Sequence, residues 1–121
     1  MKKPNTLRQG KDFRKVLDQR RKLQGRSVVF FVARNDLGFP RLGLVPGRKF
    51  GNAVRRNLWK RLCREAFRMA LNDMNSSMDL VVFSKNQGFP QVQSLVLEFL
   101  EIERKARKIL AESKGNGNEV D

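Results

Sequence analysis

From Lys11 the apolar residues Phe13, Val16 and Leu17 return at helical spacing, which predicts a first helix reaching to about Lys22, with Gly10 as its cap. Residues 27–33 (SVVFFVA) are β-branched and aromatic and read as a strand. Turn chemistry follows at residues 35–40 (NDLGFP), then a second short strand, RLGLV over residues 41–45, ended by Pro46-Gly47. A long helix is expected from Asn52, a good N-cap, to about Asn72 or Met74. Residues 79–84 (DLVVFS) form another strand, apolar enough to be central. A last helix carries Val92, Leu95, Val96, Phe99, Ile102, Ala106, Ile109 and Leu110 on one stripe. Helix, strands, helix, strand, helix is the order of an α+β domain. The expected form is a two-layer α/β sandwich, with the helices on one face of a small mixed sheet and an open cleft on the other. One domain over residues 1–111 accounts for the pattern, and residues 112–121 (ESKGNGNEVD) read as a disordered tail.

Charge narrows the function. The 26 Lys and Arg against 12 Asp and Glu leave +14 on 121 residues, with no histidine. Residues 1–26 hold ten basic and two acidic residues, a sum of +8. Residues 41–68 hold nine basic and one acidic (Glu65), again +8, so the remaining residues sum to −2. Two concentrated blocks argue for a binding face, and nucleic acid is the commonest polyanion to meet one. No run of about eighteen apolar residues is present, so no membrane span is expected, and the start MKKPN gives no sign of a secretory signal. A single cysteine excludes a disulfide framework and a zinc ribbon; the absence of histidine excludes Ser-His and Cys-His nucleophiles. A cytoplasmic protein with no catalytic residue and no metal site of its own is expected.

The second block lies on the long helix. At about 100° per residue, Arg56, Lys60, Arg64, Asn57, Arg68 and Arg61 share an arc of about 140°. Val54, Leu58, Trp59, Leu62, Cys63, Ala66, Met69 and Ala70 are expected on the packing face, with Arg55 intruding on it and Phe67 bordering the basic arc. An ordinary solvated face alternates sign. Arg56-Lys60-Arg64-Arg68 is instead an unbroken i,i+4 series of like charge, costing roughly 1 kcal/mol in isolation, a penalty that phosphates would reverse. On the first strand, alternation sends Val29 and Phe31 to one face and Val28, Phe30 and Val32 to the other. Phe31, with Phe13 bordering, either stacks unpaired bases in the cleft or simply fills core; spacing leaves both readings open.

Residues 48–67 (RKFGNAVRRNLWKRLCREAF) resemble the signature of the bacterial ribonuclease P protein component. That signature pairs Lys-x-Gly-Asn-Ala-Val with an Arg-Asn-x-x-Lys-Arg-x-x-Arg helix. It is matched by Lys49, Gly51, Asn52, Ala53, Val54, Arg56, Asn57, Lys60, Arg61 and Arg64. The resemblance extends over about residues 5–110, through Leu7, Phe13, Gly43, Leu44 and Asp79. It implies the order α-βββ-α-β-α with a left-handed crossover, and a subunit of the ribonucleoprotein that endonucleolytically removes the 5′ leader from precursor tRNA. The partners implied are the catalytic RNA subunit and precursor tRNA, with Mg2+ held mainly by that RNA and the substrate, and the protein itself monomeric. Arg48, Lys49, Asn52, Arg56, Asn57, Lys60, Arg61, Arg64 and Arg68 are the RNA-binding candidates, and Phe13, Leu17 and Phe31 line the implied leader cleft. Leu58 stands where the family usually has Arg, and Leu17 and Phe31 stand where aromatic and Tyr side chains are common. The runner-up is a ribosomal or other structural RNA-binding protein, which the Gly51-Asn52-Ala53 approach to the helix disfavours.

Overall fold

The computed structural model describes residues 5–85 and 88–120, with only the backbone described over residues 112–120. In chain order the elements are α1 (Gly10–Asp18), β1 (Lys22–Gln24), β2 (Val28–Arg34), β3 (Arg41–Val45), α2 (Ala53–Ala70), β4 (Met78–Ser84) and α3 (Val92–Val120). Single 3-10 turns flank α2 at Arg48–Phe50 and Leu71–Asp73. α1 stops short of the expected Lys22. Gln19 and Arg20 donate to Val16 O and Leu17 O, and Arg20 takes a left-handed backbone (φ 56°), freeing Lys22 to start β1. α3 spans Val92–Val120 and so includes residues 112–120 of the segment read as a tail; among the described side chains, Leu110 is its last buried core residue. Among the described residues, no helix is long and apolar enough to cross a membrane.

The strands form one mixed sheet in the order β1-β2-β4-β3, antiparallel except for the parallel β3–β4 pair that α2 connects. Pairing puts Val28, Phe30 and Val32 beside Leu80 and Val82, with Leu42 beside Leu80, on the face covered by α2 and α3. There Trp59, Phe67 and Phe99 are fully buried, and Phe99 meets Phe30 and Phe67 edge-on, each pair at 5.5 Å between centroids. Such pairs contribute about 0.5–1.5 kcal/mol each beyond the burial itself.

α1 lies on the opposite face, so the helices are not all on one side as the pattern suggested. Its own apolar stripe needs cover: Val16 is buried with Leu7, Ala33 and Val81, and Phe13, Leu17, Phe31, Val45 and Phe83 are half-buried around them. Gly43 permits this approach, since a Cβ there would fall 2.6 Å from the Phe13 ring. Asp79, 3% exposed, ties the end of this layer together. Arg41 Nε and Nη2 donate to its two oxygens, each at 2.8 Å, and Asn35 Nδ2 donates to Oδ1 at 2.8 Å. That hydrogen bonding raises the Arg41 pKa above its ordinary value.

Candidate nucleic-acid interface

Asn52 starts α2 as its sequence predicts: Oδ1 accepts the Arg55 N–H at 3.0 Å. Its oxygen thus caps the helix, and its exposed amide N–H groups remain available to a partner. Gly51 precedes it at φ 137°, where a Cβ would come within 2.8 Å of the Arg55 side chain, so this turn requires glycine. Arg55 does not enter the packing face. Its Nε donates to Phe50 O at 3.3 Å, and its guanidinium lies 4.6 Å from the Phe89 ring centroid and 5.5 Å from that of Phe50.

Beyond the cap the helix buries Trp59, Cys63, Ala66, Phe67 and Ala70. Phe67, expected at the border of the basic arc, is fully buried, whereas Val54 is 76% and Met69 47% exposed. The buried stripe is rotated toward the two largest side chains, Trp59 and Phe67, leaving Leu58 and Leu62 half-buried. Cys63 points inward with them, and burial pushes its thiol up to about 12, which makes it an inert core residue.

The cations keep the outer surface. Arg56, Asn57, Arg61, Arg64 and Arg68 are exposed and Lys60 is half-buried. Arg56 to Arg68 spans about 18 Å of helix axis. None of these cations has a carboxylate within ion-pair distance among the described residues; the ion pairs there belong to Arg41, Lys105 and Arg107. Arg48 and Lys49 are exposed on the turn joining β3 to α2. They follow Pro46-Gly47, where β3 ends without a bulge and Gly47 N donates to Ser84 Oγ at 2.7 Å. That corner lies between Val45, the last residue of the α1 layer on β3, and the first turn of α2.

Phe13, Leu17 and Phe31 do come together, half-buried under and beside α1. The sheet separates them from the cationic ridge, so the candidates form two surfaces and not one. Sequence reasoning missed Phe83 and Val45 in this cleft. Phe83 meets Phe31 edge-on at 5.4 Å, and both sit on the same face because Val29 pairs with Phe83 and Phe31 with Val81. Strand alternation carries that signal once the β2–β4 register is known.

The arrangement defines a small α+β protein that holds a helix with a cationic outer face against a four-stranded open sheet. A model of the Ribonuclease P family matches residues 1–113, and the chain belongs to that family. The Ribonuclease P protein component of Syntrophus aciditrophicus is 35% identical over 85 residues, covering 70% of this chain and 71% of the relative. That of Fusobacterium nucleatum is 28% identical over 110 residues, covering 91% and 97%. The RNase P protein from Thermotoga maritima superposes with a TM-score of 0.72 at 28% identity, covering 83% of this chain and 96% of that one.

Proposed function

We propose that this chain is the protein subunit of ribonuclease P, acting with a catalytic RNA subunit to remove the 5′ leader of precursor tRNA. The unpaired series Arg56, Lys60, Arg64 and Arg68 on a rigidly packed helix carries the reading. Like charges held in register without counter-ions are costly alone and favourable against phosphates. The RNA subunit covers this ridge, Arg48 and Lys49 turn the corner, and the single-stranded leader enters the cleft of Phe13, Leu17 and Phe31. Unpaired bases offer faces that half-buried aromatic rings can stack on.

Phosphodiester hydrolysis needs a general base, a nucleophile or a held metal. The chain has no histidine, and among the described residues no three His, Cys, Asp or Glu side chains gather. On this reading Mg2+ is held by the RNA subunit and the substrate. The protein neutralises phosphates so that fewer ions are needed to fold and clamp them. It works in the cytoplasm where precursor tRNA is processed, and its +14 charge opposes self-association before assembly.

Reconstitution with a bacterial ribonuclease P RNA and precursor tRNA tests this. Adding the protein should lower the Mg2+ concentration required for leader removal, and protein without RNA should leave precursor tRNA intact. An unchanged Mg2+ requirement, or cleavage by the protein alone, overturns the reading.

A further inference from the structure

At its C-terminal end the cationic ridge runs into a pocket of about 750 Å³ between the β2–β3 turn and the link from α2 to β4. Its walls include Phe39 and Pro40 on one side, and Arg68, Asn72 and Asn75 on the other. We infer that this pocket receives one unstacked nucleobase of the RNA that covers the ridge, an inference that rests on the ridge being an RNA surface.

The turn that carries Phe39 is pinned. Asn35 Nδ2 donates to Phe39 O at 3.2 Å, the Asn35 side-chain oxygen accepts from Leu37 N at 2.9 Å, and Gly38 N donates to Ser77 Oγ at 2.6 Å. Asn5, itself 8% exposed, donates to Pro40 O at 2.8 Å. The Phe39 ring that this fixation holds is not part of the core: half-buried, it belongs to neither core cluster and to none of the aromatic pairs among the described residues. A half-buried aromatic side chain held on a pinned turn and lining a pocket suits base stacking.

The facing wall supplies the other two elements of nucleotide recognition. Asn72 and Asn75 are exposed and their amides make no side-chain hydrogen bond among the described residues, leaving donors and acceptors for a base edge. Arg68, last of the i,i+4 series, places a cation at the pocket mouth for the adjoining phosphate. The volume lies within the range of small-ligand sites, on the order of 300–1,000 Å³. Phosphate contacts along the ridge thus end in a contact that reads a base.

The experiment measures affinity for a bacterial ribonuclease P RNA as a function of salt, using the full chain. Phe39→Leu and the pair Asn72→Ala, Asn75→Ala should each weaken binding on the order of tenfold with an unchanged log–log salt slope, because no phosphate contact is lost. Arg68→Ala should instead flatten the slope by about 0.7–0.9. With p-benzoylphenylalanine in place of Phe39, irradiation of the complex should crosslink a single unpaired nucleotide. The asparagine pair is exposed, so its result stands even where Phe39→Leu loosens the turn. Unchanged affinity in the asparagine pair, or crosslinks that are absent or scattered, overturns the pocket alone when Arg56→Ala, Lys60→Ala and Arg64→Ala together still flatten the slope by about two to three. A triple variant with an unaltered slope overturns the ridge reading and the pocket with it.

Discussion

The two sides of the sheet solve different problems with similar residues. On the α2–α3 side, Trp59, Phe30, Phe67 and Phe99 are fully buried, and the outer surface of α2 above them carries Arg56, Lys60, Arg61, Arg64 and Arg68 with no ion pair among the described residues. On the α1 side, Phe13, Phe31 and Phe83 stop at half-burial, with Leu7, Val16, Ala33 and Val81 sealed beneath. The difference teaches where rigidity is needed. Like charges hold their spacing best on a helix that cannot shift, and the ridge is backed by the larger of the two core clusters. On the proposed function, the half-buried aromatic surface of the α1 side is the part left for another chain to cover.

The sharpest way to break that contrast is to truncate one residue on each side. Trp59→Ala should cost about 3–5 kcal/mol, since the ring is wholly buried and its neighbours from two helices and the sheet cannot close the cavity. Leu17→Ala, half-buried beside α1, should cost about 1 kcal/mol. Urea unfolding followed by far-UV circular dichroism measures both, because Trp59 is the only tryptophan and its fluorescence disappears with it. Equal losses would mean that the α1 side is as essential to the core as the other and is not held open.

Much of this was legible in the sequence. The start of α2 follows from the Asn52 cap, whereas its α-helical part ends at Ala70 and a 3-10 turn over Leu71–Asp73 takes the place of the expected last turn; the α3 stripe falls where its spacing put it, with Leu95, Phe99, Ile102, Ala106 and Leu110 buried. The cationic arc was readable because sidedness on a helix is a local property. What failed depended on contacts between distant segments. β1 is three residues long and begins inside a run that continues the α1 pattern; the break comes at Arg20, whose left-handed backbone carries none of the usual Gly or Asn signal. Phe67 was misplaced because averaging over eight apolar residues centres the face on Leu62, whereas the sheet selects Trp59 and Phe67 for their size. Placing α1 on the second face, and joining Phe39 to Asn72 and Asn75, requires knowing how the sheet is ordered. The buried acids Glu98 and Glu103 were equally invisible: one accepts the backbone N–H groups of Arg26 and Ser27, the other that of Ser76, and neither partner is near in sequence.

A smaller effect separates the ridge from the cleft without any RNA. Repulsion along Arg56, Lys60, Arg64 and Arg68 subtracts roughly 1 kcal/mol from the stability of the free protein. Sulfate or phosphate bound there should return about that much, raising the melting temperature by roughly 4 °C relative to chloride at matched ionic strength. Replacing Arg56, Lys60 and Arg64 with alanine should abolish the response, and Leu17→Ala should retain it. An identical response in the ridge variant would place the anions elsewhere, with the basic block of residues 1–26 the next surface to test.

The smallest expected change concerns Leu58, which stands half-buried at the margin of the cationic face of α2, about 60° around the helix from Arg61. It contributes little to the core, for the deep positions of this helix are Trp59, Cys63, Ala66, Phe67 and Ala70. An arginine can lay its aliphatic stem over the same apolar surface and keep its guanidinium in water. Leu58→Arg should therefore alter stability by no more than about 0.5 kcal/mol. It would widen the ridge by one cation beside Arg61, steepening the salt dependence of RNA binding by about 0.7–0.9. Cleft-dependent discrimination, read as the ratio of affinities for precursor tRNA with and without its leader in the reconstituted enzyme, should stay constant. A steeper slope with that ratio unchanged would show that the two surfaces act independently. A shift in the ratio would instead show that charge on α2 reaches across the Arg48-Lys49 corner to the leader.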